Sequence, residues 1–499
     1  MSRVSITQVR GGRTLEERMT ALKNVLITLT QPLEVPTQVN ELVYNGNPQT
    51  PVWTDVEDTS ANEDALLQVE YEPQTEPGEY TATFTPAYGY AWTDGTDEPK
   101  TVTWKIKPVV CELPKQLNRL VYNGSPQAPA WSAPDMALIQ VECEPQTEPG
   151  EYTATFTLTH GCAWTDGTNE PKFVKWEINQ RHVMGMVLVE EGNKSGTWVR
   201  VDKDFNTVEF NPEHGTWAGI KQVTNATYGE FTEIPVTYVK TETLQSGPYA
   251  GKNCWWIADG PESGFHVHPA FIGADGQPHN LQIASWVASN KNSVPFSEDK
   301  GNSKDGYWNN ISYNTVHAKG WMTGGARPYN IYDYHFLARM MLTEFGTPDV
   351  QSQTVDGVAW TGANRISYHG IHDPFGLPNY DEYYWLDGLT TLNGTYQVLA
   401  ADGSGNMVET GISCPDDRAW PINCRVDQVN GINFGDLFIA NMANSTENSG
   451  SFADAQNLNS GYAFNVRWNT DSRQGAFYLN NLNPVGGSNT LGWRVALCS

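Results

Sequence analysis

The sequence predicts a multidomain protein in which two small all-β sandwiches precede a larger α+β domain. An internal duplication, short alternating stretches bounded by turn signals, and a change of composition near residue 183 predict this fold class. The predicted parts are an N-terminal segment (1–30), two sandwiches (31–108 and 109–181) and a last domain (182–499).

The N-terminal segment contains a helix signal. Thr14 and Glu17 have the spacing of a capping box, in which two side chains satisfy the first backbone N–H groups reciprocally. The apolar residues that follow at helical or heptad spacing are Leu15, Met19, Leu22, Leu26 and Leu29. Two heptads are short for a coiled coil, so the helix is expected either to mediate assembly and docking or to pack on the first sandwich.

The duplication is the clearest internal feature. Residues 42–53 (LVYNGNPQTPVW) return as residues 120–131 (LVYNGSPQAPAW), and residues 72–106 return as residues 144–178. The offset falls from 78 to 72 residues between the two blocks, which places the length difference in one intervening loop. The duplication therefore predicts two tandem copies of one module.

Each copy has the pattern of a small β-sandwich. Tyr80, Ala82 and Phe84 alternate with threonines as in a half-buried strand, and YNG and EPGEY are turn signals. The pair resembles the bacterial immunoglobulin-like modules of surface proteins and phage virion proteins. It has no Cys…Trp…Cys framework, so antibody-type domains are not implied. The resemblance implies spacer modules, with carbohydrate binding as the alternative.

The last domain is richer in Trp, Tyr, Asn and Gly and contains one good helix signal. Residues 332–346 place Phe336 and Met340 at i, i+4, and Gly346 is a plausible stop. Strand-like stretches are 184–191, 196–202, 234–240 and the closing run 491–497.

Four stretches of this domain resemble a known family. They are FHVHPAFIGADGQPHNLQIASWVAS (265–289), YDYHFLARMMLTEFGTPDVQ (332–351), SYHGIHDPFG with YYWLDGL (367–389), and GAFYLNNLNP with LGWRVAL (475–497). In this order they are similar to the C-type-lectin-like domains of phage receptor-binding proteins, especially variable proteins diversified by retroelements. Those domains share their fold with formylglycine-generating enzymes. The resemblance covers about residues 250–499, with departures at inserted residues before Trp385, at Trp493 in place of Phe, and in FYLNNLNP.

The resemblance implies that the last strand closes the core and that the polar stretch before it lies on an exposed face. Val495 and Leu497 are then packing residues. Residues 441–490 contain 11 Asn, whose adenine-rich codons suit a retroelement that randomises adenine, although Asn is also common in turns. Active diversification and ordinary turn composition both remain open.

The predicted ligand-binding face comes from this stretch, because aromatic and Arg side chains bury large areas at low entropic cost. Its residues are Trp468, Asn469, Asp471, Arg473, Tyr478, Asn481, Ser488 and Asn489. Phe477, Leu479 and Val495 are predicted to turn inward.

Composition restricts the function classes. The formal charge of −26 argues against nucleic-acid binding, which needs clustered Lys and Arg. Seven cysteines without a CxxC pair indicate neither a zinc ribbon nor a disulfide scaffold, and they suit a reducing cytosol. We expect no signal peptide and no membrane insertion, since no apolar stretch is long enough for either.

No catalytic, metal or cofactor site is predicted. His266 and His268 alternate along a strand without an acid or cysteine at a ligand spacing, so they are interpreted as surface or core histidines. His369, His372 and Asp373 are interpreted as structural hydrogen-bonding residues.

Two further motifs resemble functional sites but are incomplete. Residues 401–406 (ADGSGN) have oxygens in the order of a calcium loop but lack the closing acid, so a turn is predicted. Cys414 and Cys424 do not have the sequence context of the catalytic cysteines of formylglycine-generating enzymes.

The sequence therefore favours a non-enzymatic receptor-binding or adhesion protein in a tail or head fibre of a phage virion. The expected partners are a bacterial surface protein or glycan, other virion proteins and further copies of the chain. The expected place is the virion surface after synthesis in the host cytoplasm. The alternatives are a structural virion decoration protein without a ligand, and an enzyme on the formylglycine-generating scaffold with a reactive cysteine pair in a cleft.

Overall fold

Strands account for 43% of the computed structural model and helices for 10%, so the chain is mostly β-sheet. The structure describes residues 14–17, 19, 32–54, 66–301, 306–318, 324–350, 353–355, 358–359, 367–374, 383–414, 420–444, 450–452, 456, 463–467, 477, 479–482 and 491–498. The chain divides into two compact units. The first comprises residues 1–120, 126–146 and 150–178, and the second comprises residues 121–125, 147–149 and 179–499.

The first repeat (residues 31–108) forms one four-stranded sheet. Its strands are β1 (Leu42–Val43), β2 (Leu67–Glu70), β3 (Gly78–Pro86) and β4 (Lys100–Lys107). The sheet order is β1-β4-β3-β2, with β3 and β4 antiparallel. Ala82 and Phe84 are fully buried while the threonines between and around them are not, which confirms the predicted alternation.

The second repeat (residues 109–181) has the same topology. Its strands are β5 (Val109–Cys111), β6 (Lys115–Gln116), β7 (Leu120–Val121), β8 (Trp131–Ser132), β9 (Ile139–Glu142), β10 (Gly150–Leu158), β11 (Cys162–Trp164) and β12 (Lys172–Asn179), with a 3₁₀ turn at Met136–Leu138. The main sheet runs β7-β12-β10-β9, and β5 pairs with β11 and β6 with β8. Single bridges, Leu33 to Trp92 and Gln38 to Trp53, occupy the equivalent positions of the first repeat. The repeated sequence therefore produces a repeated strand order.

The remaining strands build several sheets. The first group is β13 (Val183–Glu190), β14 (Thr197–Val201), β15 (Lys221–Asn225), β16 (Gly229–Ile234), β17 (Tyr238–Thr243), β18 (Asn253–Ala258), β19 (His266–Val267), β20 (Leu281–Ala284), β21 (Ala288–Lys291), β22 (Val294–Ser297) and β23 (Ala326–Pro328). The second group is β24 (Thr354–Val355), β25 (Val358–Ala359), β26 (Ser367–Tyr368), β27 (Ile371–His372), β28 (Tyr383–Leu392), β29 (Thr395–Leu399), β30 (Met407–Ser413), β31 (Trp420–Cys424), β32 (Gln428–Val429), β33 (Ile432–Asn433), β34 (Ala440–Asn444), β35 (Ala463–Arg467), β36 (Asn480–Leu482), β37 (Leu491–Gly492) and β38 (Val495–Cys498).

Three sheets of five or more strands form in this region of the described chain. Their orders are β14-β13-β18-β17-β19, β21-β22-β16-β20-β38-β23 with β15 beside β16, and β30-β29-β28-β35-β36 with β37 beside β28. The pairs β24–β25, β26–β27, β31–β34 and β32–β33 are separate hairpins or ribbons.

Among the described residues from 182 onward the helices are α1 (Tyr313–His317) and α2 (Ile331–Phe345), with 3₁₀ turns at Trp217–Gly219, Pro269–Phe271 and Phe434–Asp436. The predicted helix is confirmed as α2. A capping box of Asn330 and Asp333 begins it, and Gly346 ends it at φ 72°. Every residue from Ile331 to Thr343 is buried, so α2 is a core helix and not an amphipathic surface helix.

One strand prediction is wrong in part. The stretch 234–240 was expected to be a single strand, but β16 ends at Ile234 and β17 begins at Tyr238 in a different sheet. Pro235 lacks a backbone N–H and cannot continue a sheet ladder, so the chain changes sheet there.

The start of the N-terminal helix has the predicted cap. The backbone N–H of Thr14 donates to the Glu17 carboxylate at 2.9 Å, and the backbone N–H of Glu17 donates to the Thr14 hydroxyl at 3.1 Å. Leu15 and Met19 are 81% and 67% exposed. Leu22, Leu26 and Leu29 lie outside the described residues, so the choice between assembly and self-packing stays open.

Within the part of the chain that the structure describes, no helix combines the length and the apolar character needed to cross a membrane.

Candidate functional site

Most of the predicted binding face lies outside the described residues. This holds for seven of its eight members, namely Trp468, Asn469, Asp471, Arg473, Tyr478, Ser488 and Asn489. The eighth, Asn481, lies in β36, where its backbone pairs with Phe464 of β35. The composition of the face therefore stays a prediction, and the structure describes the frame around it.

Residues 468–490 are here called the predicted binding segment. The chain on either side of it, residues 463–467 and 491–498, is called its frame. The segment follows Arg467 at the end of β35, and β35 pairs with β28 from Tyr383↔Arg467 onward. It is followed by Leu491 of β37, which pairs parallel with the same end of β28 at Tyr383. Because both chain ends pair with Tyr383, the segment leaves and re-enters the sheet at one place.

Two buried side chains fix the middle of the segment. Phe477 and Leu479 are both fully buried, which confirms their predicted inward orientation. The Phe477 ring lies 4.9 Å from the Phe438 ring and 5.7 Å from the Phe452 ring, centroid to centroid. Leu479 also forms a bridge with Gln456, whose buried amide donates to the Phe438 carbonyl at 2.6 Å. The segment is thus anchored in the core at its centre as well as at its ends.

The C-terminal anchor is a core strand, as predicted. Trp493 is fully buried with its ring 5.6 Å from the Trp308 ring, and Val495 and Leu497 are also buried. β38 pairs with both β20 and β23 in the seven-stranded sheet. The expected single strand 491–497 is instead two strands in two sheets, with Trp493 and Arg494 at the crossing between them.

Arg494 is a key residue of the frame that sequence reasoning missed. Its side chain is fully buried, and its guanidinium donates to the backbone carbonyls of Ala284, His372 and Asp373. It also lies 5.7 Å above the Tyr384 ring. One arginine therefore joins β20, β27 and the closing strand. A lone arginine inside an otherwise apolar terminal run (GWRVAL) is the signal that could have identified it.

A cavity of about 270 Å³ lies in the same unit, and neither Phe477 nor Leu479 is among its described lining residues. Its wall includes Pro269, Asn330, Tyr332, Asp387 and Cys498, together with turns at Gly273, Gly324 and Gly403. The turn 401–406 closes one side, because a Cβ on Gly403 would meet the Gly273 carbonyl oxygen at 1.9 Å. In that turn Asp402 accepts from the Ser404 backbone at 2.9 Å, so the predicted turn is confirmed.

The polar groups of the cavity wall are already engaged. Asp387 accepts from the Tyr313 hydroxyl at 2.9 Å and from the Gly388 backbone N–H at 2.9 Å, and it lies 2.6 Å from His317 Nδ1. Burial raises the pKa of the Cys498 thiol to about 11, so the thiol stays protonated at neutral pH. Among the described residues the cavity therefore presents no activated nucleophile.

The histidines set aside by sequence reasoning have structural partners. His266 Nε2 lies 2.7 Å from the buried Asp436 carboxylate, and His268 Nδ1 accepts from the Ala270 backbone N–H at 3.2 Å. His369 Nε2 lies 2.9 Å from Glu344. The described residues contain no group of three or more His, Cys, Asp and Glu with the geometry of a metal site.

Neither cysteine of the enzyme alternative has the properties of a reactive thiol. Cys414 and Cys424 are both buried and neither forms a disulfide, and the Cys414 thiol donates to the Gly394 carbonyl at 3.4 Å. Burial raises the pKa of Cys424 well above its ordinary value. Catalytic thiols need access to substrate, which burial denies to both of these cysteines.

No family model matches the chain, and no curated protein matches it either.

Proposed function

We propose that the protein is a receptor-binding protein of a phage virion that binds a bacterial surface protein or glycan through the predicted binding segment. The two repeats serve as immunoglobulin-like spacers, and the following domain, with a C-type-lectin-like fold, presents the ligand face. The observation that carries this proposal is the anchoring of a polar segment by Phe477, Leu479 and Trp493, all fully buried.

This arrangement separates the residues that hold the fold from the residues that contact a ligand. The three anchors contribute the hydrophobic free energy of the segment, since each buries a large apolar side chain. Polar residues between the anchors can then vary without a large loss of stability, because surface substitutions usually change it by less than about 0.5 kcal/mol. A receptor-binding face has to tolerate such variation, and a catalytic site does not.

The electrostatic character agrees with display on a particle. A formal charge of −26 on 499 residues opposes non-specific association and disfavours binding to nucleic acid. A single face of small polar residues with a few aromatics would bind weakly, and many copies on one particle would add avidity.

The test is adsorption by a triple variant. Replacing Trp468, Arg473 and Tyr478 together by Ala should abolish binding of the labelled protein to a panel of whole bacterial cells while leaving the melting temperature nearly unchanged. The matched control replaces Phe173 and Lys175, which are exposed on the second repeat, and should leave binding intact.

Two other outcomes would contradict a ligand site in the predicted binding segment. If the triple variant binds normally and the Phe173 and Lys175 control does not, the repeats carry the ligand site. If neither change reduces binding, the ligand site lies elsewhere on the chain. If the natural protein binds none of the cells, the decoration alternative is favoured. Comparing the 3′ end of the gene with a nearby near-identical, adenine-substituted copy tests whether the segment is diversified.

A further inference from the structure

A short turn of the second repeat contacts the first repeat. Gly161, at φ +81°, lies so close to the Tyr44 ring of the first repeat that a Cβ on it would be 2.1 Å from Tyr44 Cε1. The neighbouring His160 ring meets the edge of the Tyr44 ring at 5.7 Å and pairs with the Glu76 carboxylate at 2.5 Å. The contact thus consists of a glycine turn on one side and an aromatic ring with a nearby carboxylate on the other.

The equivalent ring of the second repeat is also covered. Tyr122 stands where the first repeat has Tyr44, and it belongs to the second compact unit. The Arg181 guanidinium lies 5.6 Å from the Tyr122 ring, and a Cβ on Gly260 would lie 3.3 Å from the Tyr122 backbone carbonyl oxygen. Both aromatic faces of this kind in the described chain therefore have an occupant.

The equivalent turn of the first repeat has no such occupant among the described residues. Tyr88 and Gly89 stand where the second repeat has His160 and Gly161. Tyr88 is 104% exposed, and a Cβ on Gly89 (φ +96°) would meet nothing within 4 Å. The turn at Tyr88 and Gly89 is therefore equivalent to the turn at His160 and Gly161, but no described residue packs against it.

We propose that the turn at Tyr88 and Gly89 is a docking surface for a β-module of a partner protein that presents an aromatic ring beside a carboxylate. The phenol of Tyr88 replaces the imidazole of His160, because its ring can meet an aromatic edge and its hydroxyl can donate to a carboxylate. Gly89 lets the partner ring approach the backbone, as Gly161 does. A second copy of this chain does not supply the face, since its Tyr44 and Tyr122 are covered.

The experiment supplies an aromatic ring beside a carboxylate, those of Tyr44 and Glu76, from an added copy of the first repeat. A copy of residues 31–108 is inserted before residue 31 of the full chain, which recreates the junction between the two repeats. Tyr88 of the inserted copy is changed to Phe, so that the natural Tyr88 is the only reporter. Nitration of Tyr88 by tetranitromethane is then followed by peptide mass spectrometry.

Nitration of Tyr88 should be several-fold slower in the extended chain than in the natural chain. Changing Tyr44→Ala and Glu76→Gln in the inserted copy should restore the natural rate. Equal rates in the two chains would overturn the proposal.

Slow nitration in the natural chain itself would also overturn it. If that protection is independent of protein concentration, residues 1–30 cover the turn; if it increases with concentration, a second copy does.

Discussion

His335→Leu should remove part of the acid sensitivity of the second compact unit, because this histidine is fully buried in α2 without a hydrogen-bond partner among the described residues. Its ring lies 5.8 Å from the Phe438 ring. Burial, and to a smaller extent the nearby His268 and Arg339, lowers the pKa of His335 to about 3. The residue is therefore neutral in the folded protein at neutral pH.

The direction of the pH effect follows from this lowered pKa. The unfolded chain takes up a proton at His335 near its ordinary pKa of 6.5, while the folded chain does not until about pH 3. The stability contribution is thus present above pH 6.5 and is lost as the pH falls toward 3. Between about pH 7 and about pH 5 the loss is about 2 kcal/mol from this one group.

His268 adds a second contribution of the same sign. Its pKa is lowered to about 3 as well, mainly by burial and in part by Arg339 and His266, against the opposing effect of Asp436. The natural protein should therefore lose about 4 kcal/mol of unfolding free energy between about pH 7 and about pH 5, and His335→Leu about half of that. At neutral pH the variant should gain about 1–3 kcal/mol, because a buried unsatisfied polar group is removed.

Urea denaturation at the two pH values, followed by tryptophan fluorescence, measures these free energies. His160→Gln is the matched control, since His160 is 74% exposed and its loss should leave the pH dependence of the second unit unchanged. An unchanged loss of stability in His335→Leu would refute the reasoning, because the acid sensitivity would then come from other groups.

Three further substitutions or reactions test the frame and the thiols. Trp493→Ala should lower the unfolding free energy by about 3–5 kcal/mol in urea denaturation, and a change below about 1 kcal/mol would mean that the ring is not core. Arg494→Lys should cost about 1–3 kcal/mol by the same measurement, since the donors of an ammonium sit on one nitrogen and cannot span carbonyls on separate strands as a planar guanidinium does, and a neutral result would contradict that role. Cys254 and Cys424 should react with a thiol reagent only on unfolding; rapid labelling of the native protein would show that they are accessible.

The features predicted correctly from sequence are those in which apolar and polar residues alternate at the regular spacing of a strand or a helix. The strand at Tyr80 to Phe84 has period two, and α2 has i, i+4 apolar pairs with a glycine stop. The internal duplication also determined that both repeats share one strand order. In each case neighbouring residues alone contain the information, so no knowledge of distant contacts was needed.

The features that sequence reasoning missed depend on partners far away along the chain. Nothing local to residues 234–240 shows that the two halves join different sheets, apart from Pro235. The role of Arg494 depends on carbonyls at Ala284 and His372, which are more than a hundred residues distant. Side chains that bond backbone groups of remote strands leave no periodic pattern, and an apolar run around one charge is the only local sign of them.

Neither the sequence pattern nor the fold strongly determines the residues of the predicted binding face. The physical reason is that its polar side chains contribute little to folding, which also suits the face to its proposed role. Its anchors are fixed by packing, so Phe477 and Leu479 could be predicted from their apolar alternation and are buried as expected. The polar residues around them contribute little to folding, and so the fold places little constraint on their identity. A face of this kind is recognised from its frame: two chain ends paired with Tyr383 and a buried centre at Phe477 define where a ligand would be met. Loss of ligand binding without loss of stability is therefore the outcome that distinguishes this face from the core beneath it.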